Sequence, residues 1–370
     1  MANTVLITGG AGFIGSHVAN ELLSRGYHVR ALDTLVSQVH GEGQERPTYL
    51  NKDVELILGD VRDPIAVRKA LQGVDAVYHF VALVGVGQSM YQIEHYTSVN
   101  NLGTAVLMEQ IVKRPVGKLV VASSMSIYGE GLYRKPSGEV FPGRQRTLDQ
   151  LRRHDWEARD PSGELLEPIA TPEWKTPSLS SVYALSKYDQ EQMALIIGRA
   201  YGIPTIALRF FNVYGPYQAL SNPYTGVLAI FAARLMNSQR PIIFEDGDQQ
   251  RDFVSVYDIA RACRLALEKK ASDVVINIGS GNRYSIHQIA ELAARALGKK
   301  IEPEINGNYR VGDIRHCFPD ITLAKELLNY TPAIDIRDGL EDFASWLEAQ
   351  TAHDRFSDMQ DELATRGLVL

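Results

Sequence analysis

Thr8-Gly9-Gly10-Ala11-Gly12-Phe13-Ile14-Gly15 follows a short apolar run, Thr4–Ile7, and leads into an amphipathic stretch, His17–Arg25. The spacing is G-x-x-G-x-x-G, with Gly9, Gly12 and Gly15 in the key places. Glycine lets a backbone turn tightly and come close to a pyrophosphate. A helix that starts there offers unpaired N–H groups and a positive dipole end, with Phe13 and Ile14 beside the same anion. The pattern carries weight because it lies between a strand and a helix. It predicts a dinucleotide-binding, doubly wound parallel sheet of the Rossmann type.

The rest of the chain agrees. Val29–Leu32, Val54–Leu58, Ala76–Phe80 and Lys118–Ala122 are near-continuously apolar, as strands covered on both faces must be. Helical stretches such as Ile65–Leu71 and Gly103–Lys113 alternate with them, which implies right-handed crossovers. Thr205–Arg209 and Val274–Ile278 extend the sheet. Residues 1–212 and 253–280 form the dinucleotide domain; 213–252 and 281–350 form a smaller mixed α/β domain; 351–370 are a peripheral helix or a frayed tail. Between residues 135 and 177 the chain is rich in Pro, Gly and charge without a period. Lys135-Pro-Ser-Gly-Glu139 is echoed there by Asp160-Pro-Ser-Gly-Glu164, which predicts two tight turns on a small surface flap, with a mostly irregular loop as the alternative.

Composition narrows the partners. The 370 residues are 45% hydrophobic and 22% charged, ordinary for a globular protein. The net charge of −6, without a basic stripe, argues against a nucleic-acid partner. Cys263 and Cys317 stand in no ligand-like spacing, so neither a disulfide framework nor a metal site is expected. No leader-like start and no membrane-length apolar run is visible, and a reducing, cytoplasmic setting is expected. An anionic substrate must then be met by a few placed arginines.

Asp33 ends the second strand, where a carboxylate accepts from the adenosine ribose hydroxyls and repels a 2′-phosphate; this favours NAD over NADP. Asp60 and Val61 end the third strand near the adenine. Val81 and Ala82 follow the fourth, where backbone passes the cofactor, and Asn100 is counted among the cofactor contacts. His79 reads as a packed core residue. Tyr183-Ala-Leu-Ser-Lys187 lies on a helix over Val182–Tyr201, so phenol and ammonium share a face. A nearby cation lowers a phenol pKa toward the range of a general base. Ser124, at the end of the fifth strand, hydrogen-bonds the substrate oxygen that exchanges a proton with Tyr183.

Together the glycine motif, Asp33, Ser124, Tyr183 and Lys187 resemble the extended short-chain dehydrogenase/reductase family, in its nucleotide-sugar epimerase/dehydratase branch, over nearly the whole chain. Arg209-Phe-Phe-Asn212-Val-Tyr-Gly-Pro216 resembles the segment whose asparagine touches the nucleotide-sugar phosphates. Gln250-Arg251-Asp252-Phe253-Val254 and Arg310-Val-Gly312-Asp313 resemble the segments that supply two phosphate-gripping arginines. Val84, Gly85, Gln88 and Ser126 then face the sugar beside Ser124, and Gln218 and Asn222 lie over the base and phosphates.

Two departures matter. Dehydratases of this branch follow the catalytic hydroxyl with Asp-Glu; here Met125 and Ser126 stand there, so dehydration is disfavoured. Some relatives carry Cys-x-x-Cys-like knuckles in the flap; this chain has no cysteine there. The resemblance therefore implies an NAD-dependent 4-epimerase that oxidises carbon 4 transiently and keeps its cofactor. It most resembles enzymes interconverting dTDP-L-rhamnose and dTDP-6-deoxy-L-talose. A UDP-hexose or UDP-N-acetylhexosamine 4-epimerase and a 4-ketosugar reductase are the alternatives. A homodimer built on helices Gly103–Lys113 and Val182–Tyr201, and a place in surface polysaccharide synthesis, are expected by the same analogy.

Overall fold

The computed structural model describes residues 4–43, 45–310 and 312–369. Its centre is a parallel sheet of seven strands: β1 (Thr4–Thr8), β2 (His28–Asp33), β3 (Glu55–Leu58), β4 (Ala76–His79), β5 (Lys118–Ser124), β6 (Thr205–Phe210) and β7 (Val274–Ile278). The order is β3-β2-β1-β4-β5-β6-β7, all parallel. The direction of winding therefore reverses between β1 and β4, which opens a crevice at the carboxyl ends of the strands. All seven expected strands are present, within about two residues at each end.

Both faces of the sheet are covered. On one side Val5, Ile7, Tyr78, Val120, Ile206 and Ile276 pack under helices Phe13–Leu23 and Val256–Glu268. On the other, Leu6, Val77, Leu119 and Val121 meet Leu107, Ile111 and Ala194 of helices Gly103–Lys113 and Val182–Tyr201. Local signals set the helix ends. Asp63 accepts from the Ile65 N–H ahead of Pro64, which suits a first turn. The Ser181 hydroxyl caps the helix from Val182 by accepting from Ala184 N–H, and Gly202 ends it in the left-handed conformation (φ +66°).

The smaller lobe has its own core. Leu228, Phe231 and Leu235 pack with Ile289, Ala293, Leu340 and Phe343. The expected boundaries need adjustment in two places. Helix Thr322–Leu328 lies within the range assigned to this lobe, yet its Ala324 and Leu328 join the core under the parallel sheet. Of the two alternatives for the end of the chain a helix is formed, and Phe356–Thr365 buries Phe356, Met359 and Leu363 against Phe244. Apolar residues at i, i+3 and i+7 specify that face.

The flap is ordered. Leu132–Arg134 pairs antiparallel with Val140–Pro142 on one side and Glu167–Ile169 on the other. The two echoed turns take the same form: Gly138 and Gly163 have φ of +90° and +89°, and their N–H groups donate to Lys135 and Asp160 carbonyls at 2.8 and 2.9 Å. Lys135 Nζ reaches Asp160 at 3.4 Å, so an ion pair joins the turns. Behind the flap, Arg146 and the fully buried Arg315 share Glu245, with Glu130, Glu157 and Asp246 around them. This charge cluster, buried at Arg146, Arg315, Glu245 and Glu130 and open to solvent at Glu157 and Asp246, fastens flap to lobe. Among the described residues no helix is long and apolar enough to cross a membrane.

Candidate active site

The crevice at the winding reversal begins with the glycine turn. Gly9 is left-handed (φ +71°), and a Cβ on it would stand 2.9 Å from the Val81 nitrogen. A Cβ on Gly15 would stand 2.3 Å from the Gly9 carbonyl oxygen, so turn and helix touch backbone to backbone. Gly12 caps helix Phe13–Leu23 with no side-chain hydrogen bond, leaving the first N–H groups for an anionic ligand. Asp33 sits at the far wall. Its two oxygens accept from Ala11 N–H (3.1 Å) and Leu35 N–H (3.0 Å), which fixes the carboxylate and leaves lone pairs for a diol.

From there a cleft of about 410 Å³ runs to Ser124, Tyr183 and Lys187. Gly9, Gly12, Phe13, Ile14, Gly15, Asp33, Asp60, Val61, Val81 and Ala82 all line it. Val84, Gln218 and Asn222 also line the cleft. Gln218 Oε1 is buried and unpartnered among the described residues, an acceptor that a ligand can use. The glycine cradle, the diol-sized carboxylate and this orphaned acceptor together fit a dinucleotide.

The catalytic side chains are held from behind. Tyr183 N–H donates to Ser89 Oγ at 3.0 Å, pinning the start of its helix. Ser124 Oγ accepts both the Ser126 N–H (3.1 Å) and the Ser126 hydroxyl (2.9 Å). With both lone pairs occupied, its own proton is left to donate toward the Tyr183 phenol, whose pKa it lowers. Burial raises the Tyr183 pKa and the Ser124 bond lowers it in part. The expected lowering by Lys187 is not what dominates here. Burial takes the Lys187 pKa down to about 7, and its ammonium donates to Gln190 Oε1 at 2.7 Å. Gln190 in turn donates to Thr104 Oγ1 (2.9 Å), which also bonds His79 Nε2 (2.8 Å). His79 is a packed core residue: burial takes its pKa down to about 3, so it stays neutral.

Several expected contacts stand one layer back. Asn100 does not line the cleft; its buried amide donates to the Leu83 carbonyl and accepts from Leu83 N–H, holding the loop after β4. Ser126 orients Ser124 instead of facing the sugar. Gln88 is buried, its amide oxygen taken by Tyr96 and Gln38, and Gly85 packs against Tyr224. Asn212 donates to the Asp252 carbonyl at 2.9 Å. Arg251 is turned onto the chain, donating to the carbonyls of Gln250, Ile314 and Arg315. Arg310 lies 4.5 Å over the Phe244 ring, its Nε buried without a partner among the described residues. Asp60 is gripped by Arg62, whose hydrogen bonds hold its carboxyl below the usual range.

Sequence reading missed Arg62, His40, Leu83 and Phe210, all on the cleft wall. Arg62 and Leu83 were within reach, because both follow the carboxyl end of a parallel strand, where such sites form.

The model of the NAD dependent epimerase/dehydratase family matches residues 5–148 and 163–279. The chain belongs to that family. The break in the match, 149–162, falls within the flap. The dTDP-L-rhamnose 4-epimerase of Burkholderia thailandensis is 35% identical, over 93% of this chain and 94% of that one. A putative UDP-glucose 4-epimerase of Methanocaldococcus jannaschii is 32% identical, over 93% and 98%. The UDP-glucose 4-epimerase of Thermus thermophilus, solved with NAD, superposes with a TM-score of 0.75 at 29% identity, over 94% and 100% of the two chains. NAD is thus the cofactor of this epimerase/dehydratase family member, and the glycine cradle and Asp33 are the residues that would hold it.

Proposed function

We propose that the chain is a nucleotide-sugar 4-epimerase whose substrate is dTDP-L-rhamnose and whose product is dTDP-6-deoxy-L-talose. One observation carries the reaction type. Ser124 and Tyr183 meet at the cofactor cleft, and the two residues after Ser124, Met125 and Ser126, bring no carboxylate. Redox at a carbinol carbon is supported, and elimination of water is not. The 35% identity to the Burkholderia enzyme supports the choice of sugar nucleotide.

NAD, held by the glycine cradle and Asp33, would supply reversible hydride acceptance at carbon 4. The chain supplies proton transfer and position. Tyr183 takes the proton of the 4-hydroxyl. Ser124, its lone pairs held by Ser126, donates toward the Tyr183 phenolate and so favours the ionised form that accepts the proton. Lys187 adds positive charge four residues along the same helix face. Arg251, with donors to spare beyond its carbonyl partners, and Arg310 are the candidates for the diphosphate. A homodimer paired through helices Gly103–Lys113 and Val182–Tyr201 is part of the proposal. Leu185 and Ile196 on the second helix, 52% and 53% exposed, support it.

The test is incubation with dTDP-L-rhamnose, without added cofactor, followed by NMR of the ring protons. The expected result is a carbon-4 epimer with no net NADH. Turnover of UDP-glucose or UDP-N-acetylglucosamine in its place would overturn the substrate. Turnover only of a 4-keto sugar, and only with NADH supplied, would make the enzyme a reductase.

A further inference from the structure

The C-terminal helix Phe356–Thr365 lies beyond residue 279, the last that the family model matches. This helix and the residues just after it reach three other parts of the chain. Glu362 Oε2 accepts from the Tyr91 hydroxyl at 2.8 Å and from the Tyr224 hydroxyl at 2.7 Å, and the two hydroxyls are 2.6 Å apart. Leu363 covers Gly87, where an added Cβ would meet it at 3.2 Å. Val369, just past the helix, closes a β-bridge with Arg310.

The segments that Tyr91 and Tyr224 belong to reach the cleft through their neighbours. Tyr91 ends the stretch that begins at Val84, which lines the cleft. Tyr224 stands between Asn222 and Thr225, which also line it, and its side chain presses on Gly85. Arg366 lies 4.2 Å over the Tyr91 ring and steadies the same corner. The hydrogen bonds from Tyr224 and Tyr91 hold the Glu362 carboxyl below its ordinary range, and burial raises both phenols, so they remain donors to a carboxylate. One carboxylate therefore adds a charged tie between two walls that also touch at Gly85 and Tyr224 and share the Gln38 amide.

We propose that Glu362 is a positioning residue of the substrate site. By holding Tyr91 and Tyr224 together it keeps the walls 84–91 and 222–225 at the separation that admits a sugar nucleotide, and substrate affinity depends on a helix outside the matched family core. This rests on the reading of the cleft as a nucleotide-sugar site. None of the Glu362 contacts involves Gly9, Gly12 or Gly15, so cofactor binding is expected to be unaffected.

The experiment uses the full chain with its bound NAD and three variants: Glu362→Ala, Glu362→Gln, and the double change Tyr91→Phe with Tyr224→Phe. KM and kcat are measured with dTDP-L-rhamnose, or with UDP-glucose if that is the sugar nucleotide turned over, and NAD content is measured on each preparation. Loss of two charge-assisted hydrogen bonds raises KM about tenfold in Glu362→Ala, with kcat within about twofold and NAD content unchanged. Glutamine, which still accepts from a tyrosine, restores most of the affinity. The double phenylalanine variant keeps the packing and shows the same rise in KM, which covers a failure of Glu362→Ala to fold. An unchanged KM in the double variant overturns the proposal, as does a loss shared equally by kcat, NAD content and melting temperature. A wild-type protein that holds NAD yet turns over no sugar nucleotide overturns the substrate reading and this proposal with it.

Discussion

Gly15→Ala tests the cradle most directly. The added methyl would stand 2.3 Å from the Gly9 carbonyl oxygen and 2.8 Å from Gly10 Cα. Ordinary contact needs about 3.4 Å, so turn and helix must part by about 1 Å. Both clashing atoms are backbone, so no rotamer relieves them. A shift of that size misaligns the helix N-terminal donors from a pyrophosphate held between them. Losing one charge-assisted hydrogen bond costs about 1.5–3 kcal/mol, which is roughly a ten- to hundredfold loss of NAD affinity. NAD is assayed by calorimetric titration and by the cofactor released on denaturing purified protein. Gly26→Ala is the control: its φ is +81° and a Cβ there meets nothing within 4 Å. It loses about 1 kcal/mol of stability through backbone strain, with NAD affinity untouched. A Gly15→Ala protein that binds NAD within threefold of wild type would refute the reasoning.

Two further outcomes follow from the same geometry. Ser126→Ala removes one of the two donors that fix Ser124 Oγ, so kcat falls about fivefold for the roughly 1 kcal/mol lost, with KM unchanged. The acidic limb of its kcat–pH profile moves up, because the Tyr183 phenolate loses support; a profile that superposes on wild type counts against the assignment. Asp252 is fully buried, and burial raises its pKa from 3.8 to about 6 against the hydrogen bonds from Ser280 and Asn282. The folded chain then holds a proton in that window that the unfolded chain releases. The stabilisation this supplies is complete below the unfolded pKa and is lost as pH rises through the folded one. Melting temperature should fall for wild type relative to Asp252→Asn between about pH 4 and about pH 7, and parallel curves would exclude this linkage.

How much of this was legible depended on the range of the interactions. The strand run Lys118–Ser124 is apolar on both faces because helices cover both, and the pattern is visible without coordinates. Gly9 and Gly15 were legible because the turn tolerates no other residue. Tyr183 and Lys187 were legible because one helix carries both. The flap was harder. Its short strands lack room for a period, and Leu132–Arg134 finds its partners up to thirty-seven residues away, at Ile169.

The chain's sequence by itself determined the sheet, the cofactor turn and the catalytic helix, since each is encoded by residues within a few positions of one another. Tertiary structure alone decided which neighbours those residues meet. That three carbonyls hold the Arg251 side chain and leave only part of its fork for a phosphate is set by segments far apart in the chain. Ser126 reads as a sugar contact until its hydroxyl is found on Ser124. Lys187 reads as the cation that lowers a phenol's pKa, yet desolvation, a property of everything packed around a group, outweighs that in the fold. Glu362, 138 residues beyond Tyr224, carries no local signal at all. Its partners are set by how the last helix docks, and docking is a sum over contacts from distant parts of the chain that no window of sequence contains.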